Sequence, residues 1–197
     1  VGGAGPVGVN VTRQGVIDNT TGEFFSPANG TMAHHFSTSR ERPLLDPDFN
    51  VIELRQTPSI FGLGLIEKIT DESILAQADP DDLDEDGISG KAHIRPDGRL
   101  GRFGWKAGIP TLEDFVRDAL SNEVGLTIPD DPRFIAGIAT DDDLVPDAEF
   151  KGRRYTDLVF FNEALAPPPS AIHGETEGSR LFKQIGCDDC HTPSLPT

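Results

Sequence analysis

The 197-residue chain carries 33 Asp and Glu against 17 Lys and Arg, a formal net charge of −16. That balance repels a phosphate backbone and excludes nucleic acid as a partner, while it suits an acidic surface that binds cations or docks a basic protein. No stretch is long and apolar enough to span a membrane, and 36% hydrophobic residues suffice for a core, although 21 Gly and 16 Pro predict much loop.

Residues 1–50 are rich in Gly, Asn, Thr and Pro and read as ordered loop with a short strand or two. They open VGGAGPVGVN without a Met or a visible signal peptide, so the start of the protein is expected to have been removed. Three Asn-x-Thr triplets, at Asn10, Asn19 and Asn29, lie here and carry little weight. Residues 51–169 hold the helical signals and an acidic loop. A short helix interrupted by Gly62 and Gly64 is predicted over 58–69, and another over 71–78. Thr111 precedes LEDFVRDALSNEVG with Asp114 three residues on, an approximate capping box. Leu112, Phe115, Val116, Ala119 and Leu120 form one apolar face, and Gly125 ends the helix. A further helix is expected over 156–165, and Pro167-Pro168-Pro169 makes a stiff linker.

DPDDLDEDGISG places Asp82, Asp84 and Asp86 at alternate positions before Gly87, as in the first half of a calcium loop. The closing Glu is missing, because the twelfth position is His93; the plainer reading is a solvated acidic turn.

After the prolines comes GSRLFKQIGCDDCHTP, with the chain's only two cysteines and a histidine directly behind the second. Cys-x-x-Cys can be a redox disulfide, half of a zinc site, or a haem attachment when His follows. The redox reading wants a βαβ context that is missing, and zinc wants a second close ligand pair. Haem c explains every residue: Cys187 and Cys190 bond the porphyrin edge covalently and His191 ligates the iron. The helix predicted over 177–185, ended by Gly186, puts Leu181, Phe182 and Ile185 at helical spacing. Residues 170–197 therefore read as the start of a cytochrome c-like haem domain. Covalent haem attachment is an export-side process, so a periplasmic or cell-surface location is expected. A second axial ligand would come from Met32, His34, His35, His93, His173 or Tyr155, none of them singled out.

In order along the chain, RQTPSIFGLGLIEKI, DGISGKA, GRFGWKAGIPTLEDFVRDAL, ALAPPP and GSRLFKQIGCDDCHTP resemble the bacterial di-haem oxidoreductases, also described as thiol oxidoreductases, over roughly residues 50 to 197. These look like relatives of the di-haem cytochrome c peroxidases. The resemblance implies a mainly α fold with long loops, cytochrome c-like and of di-haem peroxidase-like architecture. It also implies an incomplete span: in the family one haem motif precedes a stretch similar to VGGAGPVG, and a long segment follows the second. Only six residues follow His191, too few to cover the far face of a haem.

The resemblance further proposes Trp105 as an electron relay between haems and Glu123 as the group that moves protons beside the peroxide-binding haem. The relatives carry Asp-Gly-Arg after this Trp where the present chain has Lys-Ala-Gly. The plain alternatives are a core aromatic and an exposed helical carboxylate. Relatives also hold calcium near a segment like RQTPS. The expected function is that of a c-type haem oxidoreductase, peroxidase-like when intact, with a small oxidant such as peroxide and a redox partner such as a basic cytochrome. The alternatives are a pure electron carrier and a binding module stabilised by zinc or calcium without haem.

Overall fold

The computed structural model describes residues 10–25, 32–33, 48–57, 59–141, 143–169 and 174–197. His34, His35 and His173, like Asn29, lie outside the described residues. Strand β1 (Asn10–Ile17) draws on Thr12, Val16 and Ile17, β-branched residues that suit a pleated surface. It pairs antiparallel with β2 (Phe24–Phe25) on one side and β3 (Val51–Gln56) on the other, giving the order β2-β1-β3. The β1–β3 register runs from Asn10 opposite Gln56 to Gly15 opposite Val51. Asn50 locks its end, donating Nδ2–H to the Ile17 carbonyl and accepting the Ile17 N–H at Oδ1, both at 2.8 Å.

Helices α1 (Leu63–Lys68), α2 (Asp71–Leu75), α3 (Leu112–Asp118), α4 (Arg153–Ala164) and α5 (Glu177–Gln184) follow. Most are short because the chain is punctuated. Gly62 is left-handed at φ 81° before α1, and Ile69 is extended immediately after it. Thr70 caps α2 by accepting the Ser73 N–H. Helix α3 begins as predicted: the Thr111 hydroxyl accepts the Asp114 N–H at 3.0 Å and donates to Asp114 Oδ2 at 2.9 Å. Glu67 Oε1 takes another first-turn donor, the Leu112 N–H, at 2.8 Å. The last turns, Ala119–Val124, widen to π-helical geometry and stop at left-handed Gly125.

These elements correct the expectation of a mainly α, cytochrome c-like fold. Among the described residues only 31% are helical and 13% are in strands, with a three-stranded sheet whose first two strands fall in residues 1–50, read as loop with a short strand or two. Strand β3 went unrecognised because V-I-E-L-R-Q has apolar residues at its first, second and fourth positions, a pattern that fits neither strict alternation nor a helical face.

The chain divides into two compact units that interleave in sequence: Val1–Ile60 with Val116–Thr156, and Phe61–Phe115 with Asp157–Thr197. The buried apolar residues of the first include Met32, Val116, Leu120 and Ile128, and those of the second Leu63, Leu100, Phe103, Leu112 and Val159. In the second unit Phe103 stacks on Phe115 with ring centres 6.0 Å apart. Gly64 lies where a Cβ would strike the Glu163 backbone, so α1 approaches α4 only because this residue has no side chain. Leu112 is 0% exposed. Leu112→Ala is expected to lower unfolding free energy by about 2–5 kcal/mol, the loss of buried methyls plus a residual cavity. Urea denaturation checks this, and a loss under about 1 kcal/mol would remove Leu112 from the core.

Candidate functional site

The Cys-x-x-Cys-His segment is built by local hydrogen bonds. Thr176 and Ser179 cap α5 reciprocally: the Ser179 N–H donates to Thr176 Oγ1 at 3.1 Å, and the Thr176 N–H to Ser179 Oγ at 2.8 Å. Arg180 pairs with Glu177 at 2.5 Å, and its hydrogen bond holds the Glu177 carboxyl below the ordinary range. Gly186 ends the helix in the left-handed region at φ 76°. Cys187–Asp189 then form one tight turn, in which the Cys187 carbonyl accepts from the Cys190 N–H at 3.3 Å and the His191 N–H at 2.9 Å. The second bond spans four residues, the spacing that returns a side chain to the same side of a turn.

Both thiols are free; Cys187 is half-buried, and Cys190 and His191 are exposed. The His191 ring meets Phe182 edge-on at 5.9 Å. Leu181, Phe182 and Ile185 are exposed, Ile185 by 66%, so the apolar face of α5 points outward beside the two thiols and the imidazole. Thr192 Oγ1 donates to Gln77 Oε1 at 2.9 Å, fixing the segment to the chain after α2.

In the acidic loop the structure changes the membership. Asp79, Asp82 and Asp84 bring one carboxylate oxygen each within 4.8 Å of one another. Asp86 stays outside this group, its Oδ1 accepting the Ile88 N–H at 2.7 Å. Asp79 Oδ2 accepts from the N–H groups of Leu83 and Asp84 at 2.7 and 3.3 Å, while its Oδ1 is buried without a hydrogen-bond partner. Left-handed Asp82 and Glu85, at φ 51° and 59°, bend the loop tightly enough for this. Alternate spacing drew attention to 86; the pair that closes the cluster is Asp79 with Asp82, three apart across a turn. A second group, Asp141, Asp143 and Glu149, converges similarly, but Glu149 is already used, its Oε2 accepting the Thr127 N–H at 2.9 Å.

Trp105 opens a tight turn and is 60% exposed, which sets aside the reading of a core aromatic. Lys106 and Ala107 behind it are both left-handed, at φ 53° and 51°. Each such non-glycine residue costs about 1–3 kcal/mol and persists only where surrounding structure enforces it. Glu123 lies exposed on the π-helical end of α3, a geometry that recurs at functional sites. Trp105 and Glu123 fall in different compact units. Of the other axial-ligand candidates, Met32 is buried beside β1, Tyr155 lies under Arg117, and His93 is bound to the Lys106 carbonyl.

Sequence reasoning passed over Arg117. It is only 4% exposed, donates to the Ala136 and Pro129 carbonyls at 2.8 Å each, and lies over the rings of Phe134 and Tyr155 at 4.9 and 5.9 Å. This guanidinium ties the loop after Leu126 to α3 and faces a cavity of about 210 Å³. Nearby, the hydrogen bond from Arg133 holds the Asp131 carboxyl down at about 2.

Residues 29–197 match the family described as "Di-haem oxidoreductase, putative peroxidase". The chain belongs to the di-haem oxidoreductase family. No curated protein and no solved structure matches it. The matched span of this di-haem oxidoreductase takes in the Cys-x-x-Cys-His turn, Trp105, Glu123 and the acidic loop.

Proposed function

We propose that this di-haem oxidoreductase binds c-type haem covalently at Cys187 and Cys190, with His191 as axial ligand, and that the intact protein reduces peroxide. The observation that carries the reading is the single turn holding two free thiols and an imidazole beside the exposed apolar face of α5. The donor set fits: thiols that bond carbon, an imidazole that ligates iron, and Leu181, Phe182 and Ile185 to cover an apolar macrocycle. Each thiol would add its S–H across one vinyl double bond, sulfur to one carbon and hydrogen to the other, so no oxidant or reductant is consumed. When bound, the haem supplies an iron centre that exchanges single electrons.

Around it, the Trp105 indole would lie on the electron route, and the Glu123 carboxylate would hold and return a proton at its oxygen. The exposure of Glu123 favours a second reading, a pure electron carrier, because a carboxylate open to water lacks the dry surroundings that raise its affinity for protons. Covalent haem attachment, as an export-side process, supports a periplasmic or cell-surface location. The charge of −16 over these residues supports a basic redox partner, whose association would weaken as salt rises. A pyridine-haemochrome spectrum of the purified full-length protein tests the haem directly, and a spectrum without c-type bands defeats the reading.

For the acidic loop we propose a calcium ion held by Asp82 and Asp84, with Asp79 in the place first given to Asp86. The buried, unpaired Asp79 Oδ1 is the atom such a cation would satisfy. Calcium at a hundredfold excess over its dissociation constant should add about 2.7 kcal/mol of stability, and a chelator should remove it. Calorimetry with and without EDTA decides; identical melting reduces the loop to a solvated turn.

A further inference from the structure

The segment from His93 to Ile109 folds as two successive turns, closed by bridges between Ile94 and Leu100 and between Phe103 and Ile109. At its tip stands the chain's only tryptophan, exposed, followed by the left-handed pair Lys106 and Ala107. A strained turn beside an indole that is 60% exposed gains little burial in return, so its shape must be enforced by what grips it.

Three features grip it. The His93 ring meets the Lys106 carbonyl through Nδ1 at 3.0 Å. Arg95 Nη1 donates to the Gly108 carbonyl at 2.6 Å. Gly101 makes room, since a Cβ there would run into the Ala107 carbonyl oxygen. Of these only His93 reaches a carbonyl between the two left-handed residues. A carbonyl oxygen can only accept, so Nδ1 carries a proton in this bond. The Gly101 N–H in turn donates to the His93 carbonyl at 2.9 Å, which fixes the backbone from which the ring reaches.

We propose that His93 is a positioning residue for Trp105. Its Nδ1–H bond to the Lys106 carbonyl holds the left-handed Lys106–Ala107 pair and so sets the direction in which the indole is presented. The consequence for electron transfer rests on the reading of Trp105 as a relay, whereas the conformational claim stands on the geometry of the turn alone.

Trp105 is the only tryptophan of these 197 residues, so in full-length protein labelled with 5-fluorotryptophan its fluorine resonance, assigned by its loss in Trp105→Phe, reports this side chain directly. His93→Ala should shift the signal and broaden or split it as the turn relaxes. His93→Asn, whose amide nitrogen can stand where Nδ1 stands, should return it to the wild-type position. Lys106→Gly added to His93→Ala should recover the melting temperature that the single variant loses, because glycine adopts the left-handed region without strain. An unchanged resonance in His93→Ala overturns the proposal, as does a His93→Asn signal displaced to where His93→Ala places it. If His93→Ala does not fold, the His93→Asn comparison with wild type decides by itself. Failure of the relay reading would register elsewhere, as unaltered electron transfer in Trp105→Phe with the fluorine results intact.

Discussion

Replacing Cys187 and Cys190 together by Ala should abolish covalent haem at this motif. In a host competent for cytochrome c maturation, the wild-type peptide around Gly186–His191 should carry the mass of one haem, and the double variant should carry none. Each single variant should retain one thioether, since the two sulfurs leave the same turn separately, Cys187 half-buried and Cys190 exposed. His191→Ala keeps both sulfurs, so it should remain covalently loaded with an altered iron spectrum. Capping at Thr176 and Ser179 and the left-handed Gly186 keep the segment ordered in all these variants, so loss of haem would reflect chemistry and not unfolding. Unmodified cysteines in the matured wild type would end the haem reading and return zinc to consideration.

Glu123→Gln should suppress peroxide turnover by roughly 10²-fold or more, the scale of losing a general acid–base group. Gln keeps the size and hydrogen-bonding shape of the side chain but cannot hold a transferable proton. The haem spectrum should be nearly unchanged, since the substitution removes no iron ligand. Trp105→Phe should slow electron transfer between haems while the fold persists, because an indole 60% exposed contributes little to the core. A protein that carries two haems, shows no turnover with peroxide or another small oxidant, and is indifferent to both substitutions is a carrier.

How much of this could be read from the sequence depends on the distance over which each feature is made. Helix α3 was legible at both ends, at Thr111 with Asp114 and at Gly125, because caps are made within four residues of the chain. Helix α5 and Gly186 were legible for the same reason. Asp79 was not legible in the same way: alternate spacing points to Asp82, Asp84 and Asp86, whereas left-handed Asp82 and Glu85 turn this loop back so that Asp79 joins Asp82 and Asp84.

What the sequence determined unaided is thus the make-up of the Cys-x-x-Cys-His turn, two thiols and an imidazole close together in the chain, where the backbone N–H groups of Cys190 and His191 both donate to the Cys187 carbonyl. Tertiary structure alone decided that Val51–Gln56 is a strand, because its partner is residues 10–15, some forty positions earlier in the chain. Tertiary structure also decided that Arg117 is buried against the Phe134 and Tyr155 rings, and that residues 116–156 group with the sheet segment. Those outcomes depend on which distant surfaces meet, and a burial pattern confined to a few neighbouring residues leaves that choice open.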